Sequence, residues 1–385
     1  MKSDYRAVYT AFDPYPSFKG SAIHIKQVTE VLSSVFSKSL LLTLPRQTKS
    51  HIDKNITHLT FKNEETNFLN RALAYSHWVD QVLENQYQLQ VGHFRDIWGG
   101  IPILKRAHIT SVFEVNGLPS VELRDRYSAI PQTTIEKLYS LENKCLFECD
   151  QIICPSNTIK SHLEKRGIAT EKIQVITNGA TLPIIKKQKP IISQPYVIYF
   201  GALQPWQGIG TLLRAMQYLA DKPELKLVIC SSHKKKQSRD YQKLCKKLGI
   251  ESRVIWKHKI SKKRLFQLVQ QATASVAPLT ECARNLEQGC SPLKLFESMA
   301  CQTPIIASDL PVVREILAPD REAKLIRADR PAELARAIRL LTDYPLFGKD
   351  LAEHAYKKLI SQYTWEKIDD QLLHFYNNLL TLNHA

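Results

Sequence analysis

The stretch CSPLKLFESMACQTPIIASD, residues 290–309, sets a serine, a proline, a lysine and one glutamate directly ahead of a short apolar run. Ser291 is a good N-cap type, and Pro292 suits a first helical position, where its missing N–H costs nothing. A helix over Leu293 to about Cys301, stopped by Thr303-Pro304, is expected, then a buried parallel strand over Ile305 to Ser308. A helix start gathers free N–H groups and the positive end of the dipole, so it favours an anion. Lys294 adds a cation there, and Glu297, three residues on, shares its face. Taken locally, the segment is an N-capped helix with an i,i+3 Lys294–Glu297 ion pair. Taken as a site, it is a phosphate cradle with a carboxylate beside it.

Other polar residues fall where strands end. His93 and Asp96 close one apolar run in VGHFRDIWGG, and Glu114 and Asn116 close another in VFEVNG. Each alone is more simply a hydrogen-bonded structural group; their clustering at strand ends is what points to a site. Two strand-to-helix turns carry glycines. Gly20 precedes Ser21 and a helix, and Gly201 ends a strand ahead of Gly208, Gly210 and another helix. Either turn could bring backbone N–H groups against a phosphate, although glycine in such a loop often only makes the turn. Neither has the spacing of a dinucleotide fingerprint or a P-loop.

Elements must hold these residues, and the pattern supplies them. In the first half, strands are expected at Ala7 to Phe12, Leu40 to Leu44, Ile56 to Phe61, Leu89 to Phe94, Ser111 to Val115, Gln151 to Cys154 and Lys172 to Thr177. Helices through Ile23 and Val31, Asn67 to Asn85 and Thr133 to Cys149 alternate with them. LPIIKKQKPIISQP, residues 182–195, has three prolines and no helical period, and reads as an interdomain linker. After it the alternation restarts at Tyr196 to Gly201 and runs to a final helix over Trp365 to Leu382. Strands alternating with helices imply parallel sheets covered on both faces, hence two doubly wound α/β domains. The boundaries expected are 1–185, with the last helix (365–385) packing back on it, and 186–364. Ligands of such sheets sit at the carboxyl ends of the strands.

At 385 residues, 44% hydrophobic and 23% charged, the chain is ordinary for a globular protein of two domains. No run of about 18 apolar residues exists, and MKSDYRAVYTAFDPYP lacks an apolar signal core, so a cytoplasmic protein is expected. The eight cysteines are scattered without a CxxC pair, as reduced buried thiols would be. No metal-ligand spacing is present. The net charge of +16 concentrates in residues 233–264, where only Asp240 and Glu251 oppose a dense run of lysines and arginines. This is a solvated face or a contact for an anionic membrane surface; with few aromatics and no binding motif, nucleic acid is not expected.

Four blocks resemble glycosyltransferase family 4, of the GT-B fold: CDQIICPSNTIKSHL (149–163), KIQVITNGAT (172–181), YFGALQPWQGIGTLLRAM (199–216) and SPLKLFESMACQTPIIASDLPVVREIL (291–317). The resemblance runs through nearly the whole chain, and Tyr363-Thr364-Trp365 is similar to the start of a tail helix that crosses back to the first domain. It implies two Rossmann-like domains facing a cleft, and a sugar moved with retention from a UDP-, GDP- or ADP-sugar to a glycan or lipid-linked acceptor at the inner membrane face. No metal or other cofactor is implied. Glu297 would hold the ribose hydroxyls. Gly289, Cys290, Ser291, Pro292, Leu293, Lys294, Gly201, Gln207 and Gly208 would lie about the diphosphate, with Gly20 and Ser21 meeting it from the first domain. Trp256 and His258 would hold the base, and Arg284 would add charge. Asn116, Asp96, His93 and Glu114 would orient sugar and acceptor.

The chain also departs from the family pattern. The first of two glutamates separated by seven residues is Gly289, and the arginine and lysine that follow the first strand of the second domain are Ala202 and Gln207. Asn116 stands where the family has a histidine. A sugar-nucleotide-binding protein without turnover and a GT-B epimerase are the competing readings.

Overall fold

The computed structural model describes residues 3–48, 52–84, 86–127, 129–184 and 189–382. The chain forms two compact units, Met1–Thr177 with Ile368–Ala385, and Asn178–Lys367.

In the first unit the order is β1 (Ser3–Pro14), α1 (Ser21–Val35), β2 (Phe36–Leu44), β3 (Ile56–Thr60), α2 (Phe68–Glu84), β4 (Leu89–Phe94), α3 (Ile97–Leu104), β5 (Thr110–Glu114), α4 (Pro119–Arg126), α5 (Gln132–Glu148), β6 (Gln151–Cys154), α6 (Asn157–Lys165) and β7 (Ile173–Val175). The strands pair in parallel as β3-β2-β1-β4-β5-β6-β7. The strand order reverses between β1 and β4, the switch point where doubly wound sheets bind ligands. Val8, Phe94, Phe113, Ile152 and the buried faces of α2 and α5 fill the core on one side of the sheet.

The second unit runs β8 (Tyr196–Gly201), α7 (Ile209–Gln217), β9 (Lys226–Ser231), α8 (Arg239–Lys247), β10 (Val254–His258), α9 (Lys262–Gln270), β11 (Ala274–Ala277), α10 (Leu293–Ala300), β12 (Ile305–Ser308), α11 (Pro311–Arg314), β13 (Lys324–Ile326), α12 (Pro331–Asp343) and α13 (Pro345–Gln362). Its parallel sheet has the order β10-β9-β8-β11-β12-β13, with the switch between β8 and β11. The last helix, α14 (Trp365–Leu382), passes from this unit into the first. Among the described residues no helix is long and apolar enough to cross a membrane.

The strands and helices expected from periodicity are present, most within two residues of their expected ends. The helices α3, α4, α6 and α11 and the strand β13 were not anticipated. α3 defeats propensity, because IWGGIPIL contains two glycines and a proline. Packing explains the glycines: a Cβ on Gly99 would lie 2.1 Å from Thr10 Oγ1, and one on Gly100 would lie 2.5 Å from the Phe94 ring. Only bare backbone lets this helix start sit against β1 and β4. Residues 185–188 of the expected linker, and Asn85 at the end of an expected helix, lie outside the described residues.

Candidate active site

In the second unit the loop entering α10 differs from its expected form. Pro292, not Ser291, occupies the N-cap position, and no side chain caps the helix. The Ser291 hydroxyl is buried without a hydrogen-bond partner. Asn178 anchors the loop by donating to the Ser291 carbonyl at 2.7 Å. An uncapped helix start beside an orphaned hydroxyl is the arrangement that suits an anion.

Lys294 and Glu297 are both buried, and the expected i,i+3 ion pair does not form. The Lys294 ammonium donates to Gln207 Oε1 at 2.5 Å and lies 4.0 Å from the centre of the Tyr199 ring. Burial pushes its pKa down to about 7, with Cys290 and Glu297 pulling the other way. Glu297 Oε1 faces Lys262 Nζ at 3.8 Å; burial raises the carboxyl despite that lysine. Gln207, at the end of a 3-10 turn, therefore acts as acceptor for the lysine of another element. The Arg284 guanidinium lies 5.0 Å from the centre of the Trp206 ring, on a π-helical turn over Arg284–Gln288.

The glycines here have distinct reasons. Gly289 has φ 90 and ψ 173, a region that is essentially glycine's own. Gly208 has φ 68, and a Cβ there would meet the Pro278 carbonyl oxygen at 1.6 Å. Gly208 is thus a packing requirement of the turn. A Cβ at Gly201 would stand 3.8 Å from Lys294 Nζ, so this strand end does lie beside the ammonium. Cys290 is buried near Asn285, and Leu293 opens the helix. On the edge strand β10, Trp256 and His258 share one face with rings nearly parallel (6°, centroids 6.2 Å apart). The His258 Nε2 atom is buried without a partner.

In the first unit, α1 begins at Gly20 with no side-chain cap, and the Ser21 hydroxyl is buried without a partner. Both helix starts singled out by sequence thus share an open N-terminus and an orphaned serine. The strand-end residues, however, do not form one solvent-facing set. Asp96 is a helix cap: Oδ1 accepts from Trp98 N at 3.1 Å and Gly99 N at 3.0 Å, and Oδ2 accepts from Phe12 N at 2.6 Å. Three backbone amides thus occupy the carboxylate. Burial still lifts it to about 6. His93 is wholly buried.

Glu114 is the hub. Its Oε2 accepts from Tyr9 Oη at 2.7 Å, and its Oε1 accepts from Arg95 Nη1 and Asn116 Nδ2, each at 2.5 Å. His24 Nδ1 stands 3.6 Å from Oε1, and His93 Nε2 stands 3.4 Å from Oε2. Burial alone would raise this carboxyl, but Arg95 and then His93 hold it well below the usual range. Burial and Arg95 together lower His24 to about 4, so it is neutral at pH 7. Sequence reasoning missed Tyr9, His24 and Arg95. Arg95 lies between two residues that were chosen, and His24 lies one turn after Gly20; strand-end position and helix phase were the available signals. Among the described residues, no three His, Cys, Asp or Glu side chains are grouped as a metal site.

Two family models tile the chain: Glycosyltransferase Family 4 over residues 38–182 and Glycosyl transferases group 1 over residues 183–358. The O-antigen chain mannosyltransferase RfbU of Salmonella typhimurium is 27% identical over 192 residues, which make up 49% of this chain and 50% of that one. The match therefore spans half the length of that relative. The sucrose-phosphate synthase of Thermosynechococcus elongatus superposes with a TM-score of 0.81 at 18% identity, covering 98% of this chain and 100% of that one. Anabaena HepE, solved with UDP-glucose, gives 0.76 at 16% identity, covering 97% and 99%. At these identities the structures establish the fold, GT-B, with its two parallel-sheet Rossmann-like domains. With both halves matched by the family's models, the chain belongs to the family 4 type of glycosyltransferases, as a divergent member.

Proposed function

We propose that this glycosyltransferase moves a hexose-type sugar from a nucleotide-diphosphate sugar to a glycan or lipid-linked acceptor, with retention of configuration, in cell-surface polysaccharide or glycolipid synthesis. The observation that carries the donor reading is the start of α10. There an uncapped helix, the orphaned Ser291 hydroxyl and a buried ammonium without a carboxylate partner adjoin the buried Glu297. A diphosphate would satisfy the first three, and ribose hydroxyls would suit the fourth. The stacked Trp256 and His258 are proposed to hold the base.

In this reading the bond from the anomeric carbon to the diphosphate oxygen breaks as the acceptor oxygen bonds to that carbon. The acceptor proton passes to the departing diphosphate. Lys294 and the α10 amides stabilise the charge that develops there, so no metal ion is required. Asn116, held by Glu114, orients sugar or acceptor. RfbU, an O-antigen chain mannosyltransferase, and HepE, solved with UDP-glucose, make UDP- and GDP-sugars the first donors to try. The basic stretch 233–264 would place the enzyme on an anionic membrane face beside a lipid-linked acceptor.

Thermal shift with UDP, GDP, ADP and their sugars identifies the nucleotide, because a ligand bound only by the folded state raises the melting temperature. Consumption of the matching sugar, unaffected by a chelator, then establishes turnover. Stabilisation by a nucleotide whose sugars are never consumed, with or without glycolipid acceptors, would overturn the transferase reading.

A further inference from the structure

We propose that Tyr376, on α14, is a positioning residue for sugar transfer: acting through His93, it fixes the Glu114 carboxylate that in turn sets the Asn116 amide. This rests on the reading that Asn116 and Glu114 belong to the transfer site. Tyr376 is fully buried, and its Oη lies 2.5 Å from His93 Nδ1, across 283 residues of sequence. Its ring meets Phe36 edge-on at 6.2 Å and His93 at 6.0 Å. Ring packing alone would be served by phenylalanine, and a buried hydroxyl is unfavourable unless bonded.

The direction of the bond follows from its surroundings. Burial, then Glu114, holds the Tyr376 phenol well above its ordinary pKa, so the hydroxyl keeps its proton and donates to Nδ1. The imidazole proton then sits on Nε2, 3.4 Å from Glu114 Oε2, an electrostatic contact without hydrogen-bond alignment; a lone pair there would oppose the carboxylate. Tyr9 holds the same oxygen, while Arg95 and Asn116 hold the other, with His24 beside it. Among the described residues these charged and titratable groups, with Tyr376 behind His93, face Glu114, and Asp13 extends the set, with Oδ2 4.0 Å from Arg95 Nε. The carboxylate thus has one satisfied orientation. That orientation holds the Asn116 amide by its Nδ2.

The test uses the full chain with Tyr376→Phe, Glu114→Gln and, as a packing control on the same helix, Leu372→Ala. Turnover is read with UDP-glucose and GDP-mannose, and the His93 tautomer from imidazole nitrogen shifts of histidine-labelled protein. Tyr376→Phe should lower kcat about tenfold or more at unchanged donor KM, and should shift the His93 signals away from the Nε2–H form. Leu372→Ala should lower the melting temperature without that kcat loss. An Nδ1–H tautomer in the unaltered protein overturns the proposal, as does a normal kcat in Tyr376→Phe beside an inactive Glu114→Gln. Normal turnover in Glu114→Gln would instead remove the hub from the transfer site, and this role with it.

Discussion

The Lys294 ammonium is bonded to the side-chain carbonyl of Gln207 at 2.5 Å, while Glu297, one turn along the same helix, faces Lys262 instead. A buried cation therefore rests on neutral partners, an amide oxygen and the face of Tyr199. Such an arrangement disfavours the charged form and favours an incoming anion. It also accounts for the glutamine at a position where the family pattern has a lysine: two ammonium groups there would repel, whereas the Gln207 carbonyl holds the one that remains.

Replacing Lys294 with methionine separates binding from stability. Nucleoside diphosphate affinity, measured by calorimetry, should fall tenfold or more, equivalent to about 1.4 kcal/mol. The melting temperature without ligand should hold or rise, because an apolar chain of similar length removes a poorly compensated buried charge. Unchanged affinity would take Lys294 out of the donor site.

The same residue sets a pH dependence. Its folded pKa, about 7, lies below the ordinary lysine value of 10.5, so between those values the unfolded chain binds more protons. Stability then rises with pH across that window, and the penalty of the buried charge is fully present below pH 7. Binding runs the other way, since the anion needs the ammonium charged. Affinity for UDP should weaken as pH climbs from 7 to 9, and that slope should flatten in Lys294→Met. Equal slopes in both proteins would assign the titration to another group.

The two sheets were legible because apolar runs of strand length and amphipathic helices alternate along the chain. Motif spacing marked the α10 entry and the Gly20 turn. The cap of α10 was misplaced because Ser-Pro satisfies local rules that the fold overrides, turning Ser291 away from the helix amides. The capping role of Asp96 was not foreseen, since nothing local announces a helix whose glycines are dictated by Thr10 and Phe94. The Glu114 hub joins β1, α1, β4, β5 and α14, and contacts at such separations leave no mark in a periodicity.

Lys234, Lys235, Lys236, Lys246, Lys247, Lys257, Lys262 and Lys263 are exposed around α8, the edge strand β10 and the start of α9. With each basic residue near an anionic surface contributing about 1 kcal/mol, Lys234, Lys235 and Lys236 alone should be enough to detect. The full chain should co-sediment with phosphatidylglycerol vesicles and not with phosphatidylcholine, and should be released by raised salt. Changing these three lysines to glutamate should abolish capture without altering UDP affinity. Equal capture by neutral vesicles would rule out an electrostatic membrane contact.

Gly289 is the residue where the family pattern calls for a glutamate, and its backbone argues against restoring one. At φ 90 and ψ 173 its amide donates to the Arg284 carbonyl at 3.0 Å and closes the π-helical turn. A side chain in that region costs about 1–3 kcal/mol. For a unit of this size that corresponds to a melting temperature lower by roughly 2–4 °C per kcal/mol. Gly289→Ala and Gly289→Glu should both melt several degrees below the unaltered chain, by similar amounts because the strain is backbone strain. Neither should raise turnover of UDP-glucose or GDP-mannose. A Gly289→Glu variant that is more active, or as stable as the parent, would show that the turn can yield and that the missing carboxylate, not the backbone, limits this site.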